Sequence, residues 1–262
     1  MNAPRFFPSG AAAIARLPAL CKEAAWRHPE WWSLMASGAA WALLVARAGP
    51  TAMGAGAHAH LHGRLALSPD GQPAAWRMES LHWLLMVVAM MLPMVVNPIR
   101  TTAARSLWAR RHRAIGGFLI GYMTPWALLG LAAHGLIAVS GGGDWLHVPA
   151  AAAIGFAVAA LWQFTAVKRR AALWCHRTAP LAPAGWAADR DCLGYGWMIG
   201  CRCLASCWAL MVACLLAGHG IAAMACGAIV GASERQLPRA GQRLGSAVIA
   251  GLALAYAIAA QR

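Results

Sequence analysis

Seven stretches of this chain are apolar over most or all of the length a bilayer requires: 31–49, 80–96, 114–140, 150–167, 198–217, 221–233 and 244–260. Arg47 and Arg202 are the only charged residues they contain. About 20 helical residues cross the hydrocarbon core, and a segment in lipid must satisfy its own backbone hydrogen bonds, which leaves helices as the solution for runs of this kind. The expected fold is all-α: a polytopic transmembrane helix bundle of about seven spans. The run at 221–233 is the shortest, well under the length that crosses a bilayer as a straight helix.

The basic residues test that scheme. Of the 22 Lys and Arg, 17 fall in the leader and in alternate connections, namely 97–113, the segment after Val167, and 234–243. Arg47, Arg64, Arg77 and Arg262 are left for the opposite side, with Arg202 placed one turn inside the fifth span, where it snorkels. The positive-inside bias then puts the N-terminus in the cytoplasm and the C-terminus outside, in a bacterial inner membrane. The same bias accounts for a formal net charge of +14, so no nucleic acid partner is needed. Residues 1–30, broken by Pro4, Pro8 and Pro18, read as a cytoplasmic leader and not as a cleaved signal. Residues 31–262 form the helical domain, with an outer loop at 50–79.

Soft metal ligands are concentrated in this apolar frame. On a helix, Cys203, Cys207, Met211 and Cys214 fall within about 80° of one another. Cys203 and Cys214 would stand roughly 16 Å apart, so the stripe is a ladder or a site completed by other helices. In the second span, His82, Met86 and Met90 share a face, and an ionisable residue at the end of a membrane helix is a functional hint. Pro93 is expected to kink that span and free a carbonyl. In the outer loop, His58, His60 and His62 alternate and would present three imidazoles to one side of an extended segment. Thiolate with thioether favours Cu(I), and zinc is the second choice where thiolates outnumber thioethers. The alternative is that Cys and Met simply fill apolar helices. A hairpin of the fifth and sixth spans about His219 would bring Cys226 level with Met211 or Val212, and Met224 level with Cys214. No cysteine falls in an outer loop, which argues against a disulfide scaffold.

Four motifs, MVVAMMLP at Met86–Pro93, GYMTPW at Gly121–Trp126, WQFTAVKRRAALWC at Trp162–Cys175 and CLASCWALM at Cys203–Met211, resemble the DUF2182 family. That family is described as predicted metal-binding integral membrane proteins, and the resemblance runs from about Trp83 to the end. The family pattern near the fourth motif approximates Cys-x-Gly-Cys-Cys-Trp, where this chain has Ala205, Ser206, Cys207 and Trp208. A proline and a further cysteine of the family's cytoplasmic loop are here Ala166 and Ala171, while Lys168 and Cys175 are present. The resemblance implies metal handling.

The expected function is therefore binding or movement of a soft ion, copper first, through Met, Cys and His positions. The expected partners are the lipid bilayer, the metal ion, and a membrane or periplasmic protein. Met86 and Met90 are expected to share one buried region with Cys203, Cys207 and Met211. Two other readings stay open: a structural or assembly subunit, whose Gly116, Gly117 and Gly121 would support close helix contacts, and a membrane thiol-redox enzyme. Against an enzyme stand the absence of a CxxC or nucleophile motif and of any acid assigned to a helix interior.

Overall fold

A computed structural model describes residues 28, 30–48, 72–139, 149–174, 178–236 and 238–261. All regular structure among them is helical. Helix α1 covers Trp31–Ala48 and α2 covers Gln72–Met91. A 3-10 turn at Leu92–Val95 then leads into α3, Val96–Arg105, and a second at Trp108–Arg110 into α4, Arg111–Val139. They are followed by α5 (Pro149–Trp162), α6 (Ala166–Trp174), α7 (Gly185–Leu216), α8 (Ile221–Gln236) and α9 (Pro238–Ala259).

Among the described residues four segments are long and apolar enough to cross a membrane: Met78–Arg105, Trp108–Leu136, Gly185–Leu216 and Gly241–Ala259. The pair α5 and α6, bent by 72°, makes a fifth if it counts as one broken span. By the same measure α1 and the 16-residue α8 do not qualify, so the helical bundle agrees with the sequence reading and the count of seven exceeds what length and apolarity alone give.

The differences lie at helix ends. Residues 97–105, read as loop, continue the second span, and α7 begins at Gly185 and not near Met198. Arg202 thus stands nearly five turns into α7. It donates to the Trp174 carbonyl at 3.0 Å and lies over that residue's ring. Arg110 and Arg113 both bind Asp189 near the start of α7, which explains how a polar segment continues as helix there. The basic stretch after Val167 lies mostly in α6, whose start Thr165 caps by accepting the Lys168 N–H. Pro125 is accommodated inside α4 without a break.

Pro93 acts as the sequence predicts. A proline has no N–H, so the Ala89 carbonyl loses its α-helical donor. Ser37 (2.7 Å) and Trp41 (3.1 Å) donate to it instead, which fastens α1 to α2.

The most extensive helix pair is α4 against α7. Gly121 and Gly196 make the approach possible: a Cβ on Gly121 would lie 2.1 Å from the Leu193 carbonyl oxygen, and one on Gly196 2.0 Å from that of Phe118. Helix α9 packs on α5 and α8 and exposes Leu244, Leu254 and Ile258.

Candidate metal centre

Cys203 and Met91 meet in the middle of the bundle. Both are buried, and Cys203 Sγ lies 3.9 Å from Met91 Sδ. Tyr122, brought in from α4 by the glycine contacts, donates its hydroxyl to Cys203 Sγ at 3.2 Å and lies 3.4 Å from the Met91 carbonyl oxygen. Arg235 Nη2 approaches the same sulfur to 3.2 Å. Its Nη1 donates to the Met94 carbonyl. That carbonyl is the one Pro98 leaves without an α-helical donor, so the second proline of the kinked span prepares the anchor for Arg235.

One turn along α7, Cys207 is buried in hydrogen-bonding reach of Cys203, with Lys168 and Glu234 close by. Lys168 Nζ and Glu234 Oε2 form an ion pair at 2.9 Å with side chains only 6% and 10% exposed. Glu234 is an acid inside a helix of the bundle, which corrects the sequence reading that no acid occupies such a position. The sequence alone reads the polar run from Glu234 as loop. Its first residues instead complete α8 and turn inward.

The other expected ligands divide among separate places. Met90 and Met94 pack against α8, where a methyl on Gly227 would lie 2.9 Å from Met90 Cε and one on Gly231 2.1 Å from Met94 Cε. Met86 and Met211 are fully buried. The methionine that reaches Cys203 is Met91, one residue beyond the stripe singled out in the sequence. Because α2 is enclosed on several sides, its Met90 face meets α8 while Met91, about 100° further round, meets α7.

Cys214 lies higher on α7, its Sγ 3.8 Å from the Ala223 carbonyl, with Cys226 and Tyr256 beside it. Across the α7/α8 hairpin Cys214 thus meets the Ala223 carbonyl, within one residue of the Met224 expected level with it, and Cys226 lies nearby. The hairpin turn is a Schellman motif: His219 N–H to the Cys214 carbonyl and Gly218 N–H to the Leu215 carbonyl, both 2.9 Å. His219 sits there at φ 56°, is buried, and stacks on His82 with ring centroids 4.6 Å apart. His58, His60 and His62 lie outside the described residues.

Among the described residues no three of His, Cys, Asp and Glu converge where they could hold one ion. What the core does offer is two thiols with a thioether beside the first. Such a donor set suits Cu(I), which accepts sulfur and low coordination number, better than zinc, which takes four ligands in structural sites.

All four motifs quoted above contribute to this region. Met91 comes from the first, Tyr122 from the second, Lys168 from the third, and Cys203 and Cys207 from the fourth. Trp162 of the third also donates to the Ala205 carbonyl at 3.1 Å and packs edge-on against Trp208 of the fourth, 5.2 Å between centroids. Tyr122, Met91, Arg235 and Glu234 were missed by stripe analysis, which ranks residues along one helix and is blind to residues arriving from another.

A family model named PpoB2 and described as a copper chaperone matches residues 80–259. No curated protein matches the chain, and neither does any solved structure.

Proposed function

This chain belongs to the PpoB2 family of copper chaperones, and from that premise we propose that it is an integral protein of a bacterial inner membrane that holds Cu(I) at Cys203 and Cys207, with Met91 as the third donor. The observation that carries the reading is the 3.9 Å approach of the Cys203 and Met91 sulfurs in a buried core. Thiolate and thioether at that separation can both reach one soft cation.

The membrane part of the reading is supported by the candidate spans and by the apolar residues the bundle exposes, among them Ile120, Leu128, Leu131, Ile154 and Leu161. Soluble monomers rarely expose apolar surface on this scale. The basic residues put 97–113 and 234–243 on the cytoplasmic side. His58, His60 and His62 on the opposite side serve as a capture site of modest affinity, since ordering a loop around an ion opposes binding. A membrane or periplasmic protein is the natural recipient of the cargo.

The test is copper retention. Purified protein loaded with Cu(I) under reducing conditions and washed with a chelator should keep copper. Cys203→Ser and Cys207→Ser should each retain far less, a hydroxyl being a poor soft donor, and zinc should not replace the lost copper. Replacing the three outer histidines by Ala should slow loading and leave the final content nearly unchanged. Full retention by both cysteine variants would overturn the assignment.

A further inference from the structure

A cavity of about 600 Å³ opens between α1, the Pro93–Pro98 segment and α8. Met90 and Met94 stand on one wall, Asn97, Thr101, Thr178 and Gln236 supply polar groups, and Arg235 is part of the lining. The guanidinium of that arginine is the group that touches Cys203 Sγ, so the same side chain lines the cavity and contacts the buried thiol. Among the described residues that line the cavity there is one cation and no acid. A path for bare Cu(I) would be expected to carry the opposite charge, because Arg235 repels a cation approaching Cys203.

We infer that this cavity is the docking site for copper carried as an anionic complex of a small thiol bearing carboxylates, with Arg235 as the residue that receives the anion. The inference rests on the copper reading above and adds the form in which the metal arrives. A two-coordinate Cu(I) bis-thiolate carries a net charge of −1 and fits the charge of the lining, while the methionine wall suits its sulfur-rich exterior. The exchange is a ligand substitution. One bond forms between Cys203 Sγ and copper, one carrier thiolate leaves, and copper stays Cu(I) throughout, with no electron transferred. If Cys203 begins as a thiol, its proton leaves on the departing carrier thiolate. Arg235 exchanges its contact with Cys203 for one with the carrier's anionic group.

The experiment compares the loading rate of the purified full chain from two sources: the Cu(I) complex of excess glutathione, which is anionic, and the Cu(I) acetonitrile complex, which is cationic. For the unsubstituted protein the glutathione complex should load faster. Arg235→Gln should slow loading from glutathione by about tenfold or more, the scale on which charge complementarity alters association rates, and should not slow loading from acetonitrile. Arg235→Lys should keep most of the preference. Ala232→Trp, which intrudes on the cavity without changing charge, should also slow the glutathione complex more than the acetonitrile complex. The ratio of the two rates is read within one sample, so a partly unfolded variant does not mimic the result. Equal rates in the unsubstituted protein, or an unchanged ratio in Arg235→Gln or Ala232→Trp, would overturn this inference alone. Failure of the unsubstituted protein to retain copper from either source would instead remove the copper reading on which it rests.

Discussion

The Arg235 guanidinium donates to the carbonyl of Met94, a residue 141 positions earlier in the chain, and through that bond the end of α8 is fixed over the kink of the second span. The acceptor exists because Pro98 follows four residues later and has no N–H to give. The same arginine then reaches Cys203, so a backbone defect, a surface-like cation and a buried thiol form one unit.

Met91 should matter more for copper than the methionines of the 86/90 stripe. Met91→Leu is close to volume-conserving, and such swaps cost less than about 1.5 kcal/mol of stability. It should nevertheless weaken copper retention by at least about tenfold, the size of effect that losing even an outer partner of a metal ligand produces. Met86→Leu should weaken it less. Competition against a Cu(I) chelator measures both, and the reverse ranking would place the third donor elsewhere.

The Lys168–Glu234 pair is largely removed from solvent, so breaking it should be costly and replacing it whole should not. Lys168→Met leaves a buried carboxylate without its cation, for which about 3–5 kcal/mol is typical. The double variant Lys168→Met/Glu234→Leu should recover most of that loss. Thermal unfolding in detergent reads the difference, and a double variant no better than Lys168→Met would show that the pair does not act through burial.

Gly196→Ala should damage the bundle out of proportion to its size, because the added methyl would lie 2.0 Å from the backbone oxygen of Phe118. Overpacking of this kind costs about 1–3 kcal/mol or more, and the α4/α7 separation that delivers Tyr122 to Cys203 would widen. Gly38→Ala, with nothing within 4 Å of the new methyl, should be neutral or slightly stabilising. Equal melting temperatures for the two variants would remove the argument for close approach.

Glu30 gives the packing of α1 an acid-sensitive contact. Burial alone would push its carboxyl up, but its own backbone hydrogen bond, Arg100 at 2.8 Å and His28 at 3.1 Å pull it below the ordinary value of 4.5. A carboxyl lowered in the folded state contributes stability that is full above its unfolded value and lost as pH falls through the folded one. The protection factor of amides at the start of α1, which is the intrinsic exchange rate at each pH divided by the observed one, should therefore hold steady from pH 7 to about pH 5 and fall below it. Glu30→Gln should remove that dependence.

The topology is checked by reporter fusions. Fusions after Ser106 and Arg239 should read cytoplasmic, and one in the Gly218–Gly220 turn should read external. An external signal after Arg239 would mean that α8 does not cross on its own, and would place the C-terminus in the cytoplasm.

The amino-acid sequence was sufficient for an all-helical bundle and for the stripe of Cys203, Cys207, Met211 and Cys214 on one buried face of α7. Those properties follow from local periodicity and from the length of apolar runs, neither of which needs a partner. It also announced the Pro93 kink, since a missing N–H is a property of the residue itself. The partners at the site were settled by tertiary structure. Met91 and not Met90 faces Cys203 because the rotation of α2 about its axis is set jointly by α1, α4 and α8, and a step of one residue turns a side chain by about 100°. Glu234, Arg235 and Lys168 read as solvated ends of basic connections, the default for charged residues beside an apolar run. They enter the bundle because each finds there a group that offsets its loss of water: the Met94 carbonyl and the Cys203 sulfur for Arg235, and one another for Lys168 and Glu234.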